Sequence, residues 1–222
     1  MKFEIISSSS KANCIIVEDA LMLDCGVFYK NIKKCLPKIK LIFISHSHLD
    51  HLLPSTIKKI AYNYPTIKFL TGSEDVVKKL VKCGVNKKNI IILNSTPHCW
   101  WDLGLMKVKL EELYHDTQNY ALKCCINGKK LLYAVDTNRI DHIKDAKNYD
   151  LYLIENNYQE KLLEEHIKEA KEKDDENMLF YLNRVPYTHL SAEQANSFLI
   201  ENMGENSEYC YIHQSDYNYK EE

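Results

Sequence analysis

No apolar run in this 222-residue chain approaches the ~20 residues that would cross a bilayer. Its start, Met1-Lys2-Phe3-Glu4, lacks the apolar core and small-residue cleavage site of a secretory leader, so secretion is not expected. Cysteine is present at positions 14, 25, 35, 83, 99, 124, 125 and 210, but no Cys-x-x-Cys pair occurs, which argues against a thiolate zinc ribbon. Several of these cysteines lie in apolar stretches, where free cysteine behaves as a small hydrophobe. A reducing, cytoplasmic compartment is the expectation. Arginine is scarce, with only Arg139 and Arg184. The net charge of −2 is less basic than a general nucleic-acid binder would carry. No solenoid-period repeat and no linker breaks the chain, so residues 1–222 are read as one domain with a sizeable core.

What is present is concentrated in one place. Leu41-Ile42-Phe43-Ile44 is a short, continuous, β-favouring apolar run that reads as a buried strand. It leads directly into Ser45-His46-Ser47-His48-Leu49-Asp50-His51. Imidazole nitrogen and carboxylate oxygen bind zinc at neutral pH, and residues two apart on an extended loop end can point to one side. His46 and His48 would then serve one ion, and Asp50 and His51, slightly further on, a second. A polar loop with chance histidines is the plainer alternative. With nine histidines in the whole chain, three within six positions make that alternative weak.

The rest of the chain supplies a frame. Short strands are expected at 3–6, 14–18 and 20–23, followed by Asp24-Cys25-Gly26, where Asp24 is either a turn former or a buried support for the histidine loop. Helices are expected at 29–35, from Pro54 to Pro65 and at 74–83, alternating with strands at 67–70 and 90–93. Residues 96–102 read as a loop in which His98 beside Trp100 and Trp101 is either packing or an aromatic substrate patch. A strand at 105–110 ends at Tyr114-His115-Asp116. Strands at 120–126 and 129–135, joined by Asn127-Gly128, form a hairpin that runs into Asp136. A strand at 151–154 ends in Glu155-Asn156-Asn157-Tyr158, a charged helix occupies 161–173, and 174–177 reads as a solvated turn without function. Ser191-Ala192-Glu193-Gln194 fits a capping box opening a helix to about Met203, and a last strand at 209–212 delivers His213. Two packed sheets with helices outside would collect these strand-end residues at one edge.

The pattern His-x-His-x-Asp-His at 46–51, with Asp24-Cys25-Gly26 before it and His115, Asp136 and His213 after it, resembles the metallo-β-lactamase superfamily over nearly the whole chain. The resemblance implies an αββα sandwich, an α/β fold. It implies two Zn2+ ions, with Mn2+ as the other candidate: one held by His46, His48, His115 and Asp136, the other by Asp50, His51, Asp136 and His213, with Asp136 bridging. Within the superfamily the chain is most similar to the phosphodiesterase side: RNase Z-like proteins, small bacterial DNA exonucleases and phage anti-Pycsar cyclic-nucleotide phosphodiesterases. Ser7 to Asn13, the Glu155 to Tyr158 element and His189-Leu190-Ser191 carry that part of the likeness, although Ala12 stands where a glycine is usual. Histidine rather than glutamate at position 48 implies hydrolysis instead of redox chemistry.

The resemblance leads to an expected phosphodiesterase acting on cyclic or other small nucleotides, with a phage-type immune-evasion role among its implications. Asp50 and His189 are the expected catalytic groups, His189 protonating the leaving oxygen. His189 and His213 could exchange roles. A DNA or RNA nuclease on the same residues is the alternative, and ester, thioester or lactam hydrolysis the next. A non-catalytic scaffold would predict missing ligands. Lysine pairs such as Lys58-Lys59 and Lys78-Lys79 could touch phosphates, but most read as the wet faces of helices. A homodimer is compatible with the resemblance, and no membrane partner is expected.

Overall fold

The computed structural model describes residues 1–93 and 99–215. Two six-stranded sheets face each other. The first is built by β1 (Phe3–Ser9), β2 (Ala12–Val17), β3 (Leu21–Leu23), β4 (Leu41–Phe43), β5 (Lys68–Thr71) and β6 (Ile90–Ile92), in sequence order across the sheet. It begins as an antiparallel meander and turns parallel from β3 onward. The parallel part needs crossovers, and these are α1 (Tyr29–Ile32), α2 (Pro54–Asn63) and α3 (Glu74–Lys82). The second sheet contains β7 (Trp101–Asp102), β8 (Met106–Leu113), β9 (Asn119–Ile126), β10 (Lys129–Ala134), β11 (Leu151–Glu155) and β12 (Glu208–Ile212), ordered β12-β11-β10-β9-β8-β7. Its helices are α4 (Glu160–Glu172), α5 (Glu176–Thr188) and α6 (Ala192–Asn202).

Strand alternation explains the layers. Leu23, Phe43 and Leu70 point inward to meet Val108, Leu122, Tyr133 and Leu153 of the opposite sheet. Their neighbours Met22, Ile42 and Phe69 point outward and pack with Ile57, Ile60, Val76 and Leu80 of α2 and α3. On the far side Leu132, Tyr152 and Ile154 pack with Phe198 and Leu199 of α6. The order is therefore helix, sheet, sheet, helix, the sandwich expected from the sequence. The α4–α5 pair has its own small core of Leu163, Ala170, Leu182 and Val185. Asn127 and Gly128, at φ 52° and 77°, make the hairpin turn that Asn-Gly announces. Ser191 and Gln194 form the expected capping box.

Three local expectations need correction. Helix α1 closes after one turn at Ile32, and tighter turns carry the chain on to Pro37. Trp101 and Asp102 form a two-residue edge strand paired with Val108 and Lys107, not loop. The acidic turn 174–177 is the start of helix α5: Asp175 is its N-cap, accepting the Met178 amide at 3.0 Å, and Glu176 favours the positive helix end. His98, singled out as part of an aromatic patch, and the terminal tail from 216 lie outside the described residues.

Candidate metal centre

Parallel strands bring their C-terminal ends to one edge, and that edge carries the chemistry. β3 and β4 run parallel and end before Asp24 and His46. In the second sheet β10, β11 and β12 run parallel, and β8 shares their direction because β9 reverses between β8 and β10. They end before Asp136, at Glu155, before His213 and before His115. Asp24, Asp136 and His213 all adopt left-handed backbone, at φ 56°, 52° and 55°. This conformation is uncommon for residues with a Cβ, and it marks a sharp turn of the chain just past the end of each strand.

His46, His48 and His115 form a first set of ligand-type atoms within 4.8 Å of one another. The His46 ring is buried, and burial together with the neighbouring His51 charge pushes its pKa well below the ordinary histidine value. Burial lowers His115 as well, partly offset by Asp136 and Asp116. Both rings are therefore neutral, the state in which imidazole binds metal. His115 Nδ1 is 3.1 Å from the Thr188 carbonyl, to which it can only donate, leaving Nε2 3.4 Å from His48 Nδ1. Asp116, which the sequence reading passed over, has Oδ1 at 3.3 Å from both His48 Nε2 and His115 Nε2. Its other oxygen accepts from Arg184 at 3.2 Å.

Asp50, His51, Asp136 and His213 form a second set. His51 Nε2 is 2.7 Å from Asp136 Oδ2 and 3.1 Å from Asp50 Oδ2, and His213 Nε2 is 3.6 Å from Asp50 Oδ2. Burial would lower the His51 pKa, but Asp24 and Asp136 outweigh it and raise it well above the ordinary value. For His213 burial is likewise outweighed, here by Asp136 and Asp50, and the pKa rises to about 9. Burial alone would raise the two aspartates. Instead, His213 and His51 hold both Asp50 and Asp136 well below the usual carboxylate range. Asp136 Oδ2 also stands 3.5 Å from His46 Nε2, which places this carboxylate between the two sets.

Support for these groups is dense. Asp24 Oδ2 is 2.6 Å from His51 Nδ1, and Asp24 accepts from the Ser45 amide at 2.8 Å, the Ser45 hydroxyl at 2.9 Å and the Tyr133 phenol at 2.6 Å. A carboxylate behind a ligand-type histidine fixes its tautomer and aim. Lys79 of α3 hydrogen-bonds the Ser47 carbonyl between His46 and His48. Gly26 lies so close beneath the loop that a Cβ there would stand 1.6 Å from the Asp50 carbonyl oxygen. The chain contacts that pin Asp50 are the Asn13 amide on its carbonyl at 2.7 Å and the Asn13 side chain on its carboxylate at 3.3 Å.

His189 stacks on His213, with ring centroids 5.4 Å apart and 21° between planes. Its Nδ1 is 2.7 Å from Glu155 Oε1 and 3.1 Å from Asp136 Oδ1. Burial would lower its pKa, but Glu155 and Asp136 raise it well above the ordinary value. Glu155 was not singled out as a site residue. Its carboxylate is fully buried, also accepts the Thr137 amide at 2.9 Å, and joins Asp136, His189 and His213 in a third cluster of ligand-type atoms. The signal that could have found it is a glutamate as the last residue of an otherwise apolar strand. Tyr133 and Asp116 had no comparable signal, one reading as core and the other as turn.

These residues suit divalent metal. His46 Nε2 and His213 Nε2 are buried without a hydrogen-bond partner among the described residues. Buried polar atoms are otherwise almost always paired, so atoms aimed into a common space at carboxylate and imidazole neighbours mark a place for a cation.

No family model matches the chain. Solved structures do match. The metallo-β-lactamase fold protein YhfI from Bacillus subtilis superposes with a TM-score of 0.66 at 15% identity, covering 96% of this chain and 86% of that one. Human tRNase Z, short form, gives 0.66 at 16%, covering 97% and 93%. A diphosphatase from the PhnP family gives 0.63 at 11%, covering 96% and 86%. At these identities the likeness is one of fold: the chain has the metallo-β-lactamase fold. Among curated proteins, the cytidine monophosphate-N-acetylneuraminic acid hydroxylase of Sus scrofa is 32% identical over 109 residues, 47% of this chain and 24% of its own length. The Xenopus laevis protein is 33% identical over 109 residues, 18% of its length. The matched stretch thus spans about a quarter or less of these curated relatives.

Proposed function

We propose that this chain, folded as a metallo-β-lactamase, is a dinuclear metallohydrolase that cleaves phosphodiester bonds. The observation that carries the reading is the convergence of His46, His48 and His115 with Asp50, His51, Asp136 and His213 on one sheet edge, with two buried imidazole nitrogens left unpaired. The first three residues and Asp136 would hold one zinc ion, and the last four the other, with Asp136 shared. Manganese is the alternative ion. Bound there, the pair would supply a water acidified to near neutrality and positive charge facing the phosphoryl group.

The chain's own residues divide the remaining work. Asp24 holds His51 from behind, so that Nε2 faces the cleft. Asp50, about one-fifth exposed, is the ligand-type carboxylate at the rim, where it can orient the attacking water. With His189 Nδ1 committed to Glu155, Nε2 is the atom left to protonate the departing alkoxide. Glu155 acts through His189 and is a positioning residue. The resemblance to tRNase Z and to a PhnP-family diphosphatase supports a phosphoryl ester over a carboxyl ester. The small-nucleotide reading and the nuclease reading share every step above. The single domain, the cytoplasmic compartment and a homodimer remain parts of this proposal.

The test joins metal analysis to a substrate panel. Elemental analysis of the purified protein should give about two transition metals per chain. Bis-p-nitrophenyl phosphate, cyclic mononucleotides and linear DNA or RNA are assayed beside a thioester and a lactam. His48→Ala should lose metal, whereas His189→Ala should keep it and lose ~10²-fold or more in turnover. Turnover confined to the thioester or lactam would overturn the reading, and equal metal loss in both variants would make His189 a ligand.

A further inference from the structure

Beside the metal edge, the turn between β1 and β2 and the start of α1 enclose a cavity of about 410 Å³. Asp50 is among its lining residues, so the cavity adjoins the second ligand set. Phe28 and Leu49 also line it, although they are 64% and 63% exposed. Two large apolar side chains left in solvent on the wall of one cavity, beside a buried polar centre, are the ingredients of a ligand site: an apolar platform with a few placed polar groups. Ser10, Lys11 and Asn31 supply a hydroxyl, a cation and an amide on the same wall.

We propose that this cavity is a nucleoside subsite, taking one unpaired base and its sugar while the attached phosphodiester lies at the metal centre. The inference rests on the phosphodiesterase reading and narrows it. A base offers a flat apolar face to Phe28 and Leu49 and a polar edge to Ser10 and Asn31, and aromatic stacking is how proteins hold unpaired bases without a duplex. The volume falls within the ~300–1,000 Å³ of small-ligand sites. A base in a duplex has both faces covered by its neighbours and cannot reach Phe28 without being unstacked. The substrate class is therefore a mononucleotide diester or a single-stranded end, with duplex excluded from this position.

Two measurements test the assignment, each on the full chain loaded with zinc. The first compares KM for thymidine 5′-(p-nitrophenyl phosphate) with KM for methyl p-nitrophenyl phosphate, which has the same leaving group and no nucleoside. The nucleotide ester should have a KM at least tenfold lower, and Phe28→Ala with Leu49→Ser should shrink that ratio toward one. Equal KM values in the unaltered protein, or a ratio untouched by the double substitution, would overturn the subsite. The second measures thymidine monophosphate binding by calorimetry and does not depend on turnover. If neither ester is hydrolysed but the nucleotide binds and the double variant binds at least tenfold more weakly, the phosphodiesterase reading fails and the subsite stands. No binding at millimolar nucleotide overturns it.

Discussion

At the residue scale, the buried charges of the cleft explain each other. His51 lies between Asp24 at 2.6 Å and Asp136 at 2.7 Å, so without metal it holds a proton on both nitrogens. His213, with its pKa raised to about 9, does the same at neutral pH. A ligand must shed its proton before it binds metal. Zinc uptake at pH 7.5 should therefore release about one to two protons per chain, and fewer above pH 9, where His213 has already deprotonated. Calorimetry in buffers of different ionisation enthalpy reads the number directly, and zero release at pH 7.5 would contradict the charge arrangement. A second expectation concerns Asp116, 3.3 Å from His48 Nε2 and tied to Arg184. Asp116→Asn should weaken metal affinity ~10–100-fold while leaving the fold intact, because it removes the carboxylate charge that His48 and His115 share. Competition with a chromophoric chelator measures it. His46, His48, Asp50 and His51 could be singled out from sequence because four ligand-type residues crowd six positions. Asp116 and Tyr133 could not, because their meaning lies in partners 68 and 109 residues distant, and nothing local distinguishes them from an ordinary turn or core aromatic, whereas Glu155 was marked only by closing an apolar strand.

At the element scale, the loop bearing the first histidines is shaped from below. The Cys25 amide bonds the His51 carbonyl at 2.8 Å and the Gly26 amide bonds the Asn13 carbonyl at 2.9 Å, so three segments are stitched side by side. Gly26 permits this because its missing Cβ would overlap the Asp50 carbonyl at 1.6 Å, a backbone atom that cannot swing away. Gly26→Ala must push the loop outward, moving Asp50 and His51 together. The variant should bind about one metal fewer than the unaltered protein and unfold several degrees lower, ~1–3 kcal/mol being the usual cost of forced overpacking. Elemental analysis with a thermal melt checks both, and unchanged metal content would show that the loop absorbs the methyl. The periodic helices, the Asn-Gly hairpin and the capping box were all legible, since each is written in adjacent residues. Helix α5 was not. Its N-cap Asp175 lies in an acidic run that reads as solvent-exposed turn, and Pro186 near its end removes a backbone donor and reads as a helix breaker. The helix forms because Leu182 and Val185 close a private core with α4, a contact that no single-segment pattern announces.

At the scale of the whole molecule, the candidate ligands form a cross-link between the sheets. His46 and His48 follow β4 of the first sheet, and His115 follows β8 of the second. Asp50 and His51 belong to the first, and Asp136 and His213 extend β10 and β12 of the second. Beneath these groups the sheets meet through side chains such as Phe43 and Tyr133, packed edge to face at 6.2 Å. At the edge they meet through a buried cluster of charges whose mutual attraction is offset by the loss of hydration. Bound metal would neutralise the carboxylates and tie both sheets to the same ions. Because metal binds the folded chain and hardly the unfolded one, each site at a free metal concentration of 100 times its dissociation constant should add ~2.7 kcal/mol. For a chain of this size that corresponds to ~5–10 °C in Tm per site. Chelation should lower Tm by at least that amount, stoichiometric zinc should restore it, and His46→Ala should recover only the part due to the second set. Hydrogen exchange should rise on chelation at β4, β8, β10 and β12 near the edge while the opposite ends of the same strands stay protected. Uniform loosening of both ends, or a Tm indifferent to chelation, would mean that packing alone joins the two sheets and that the ligand sets serve no cross-link.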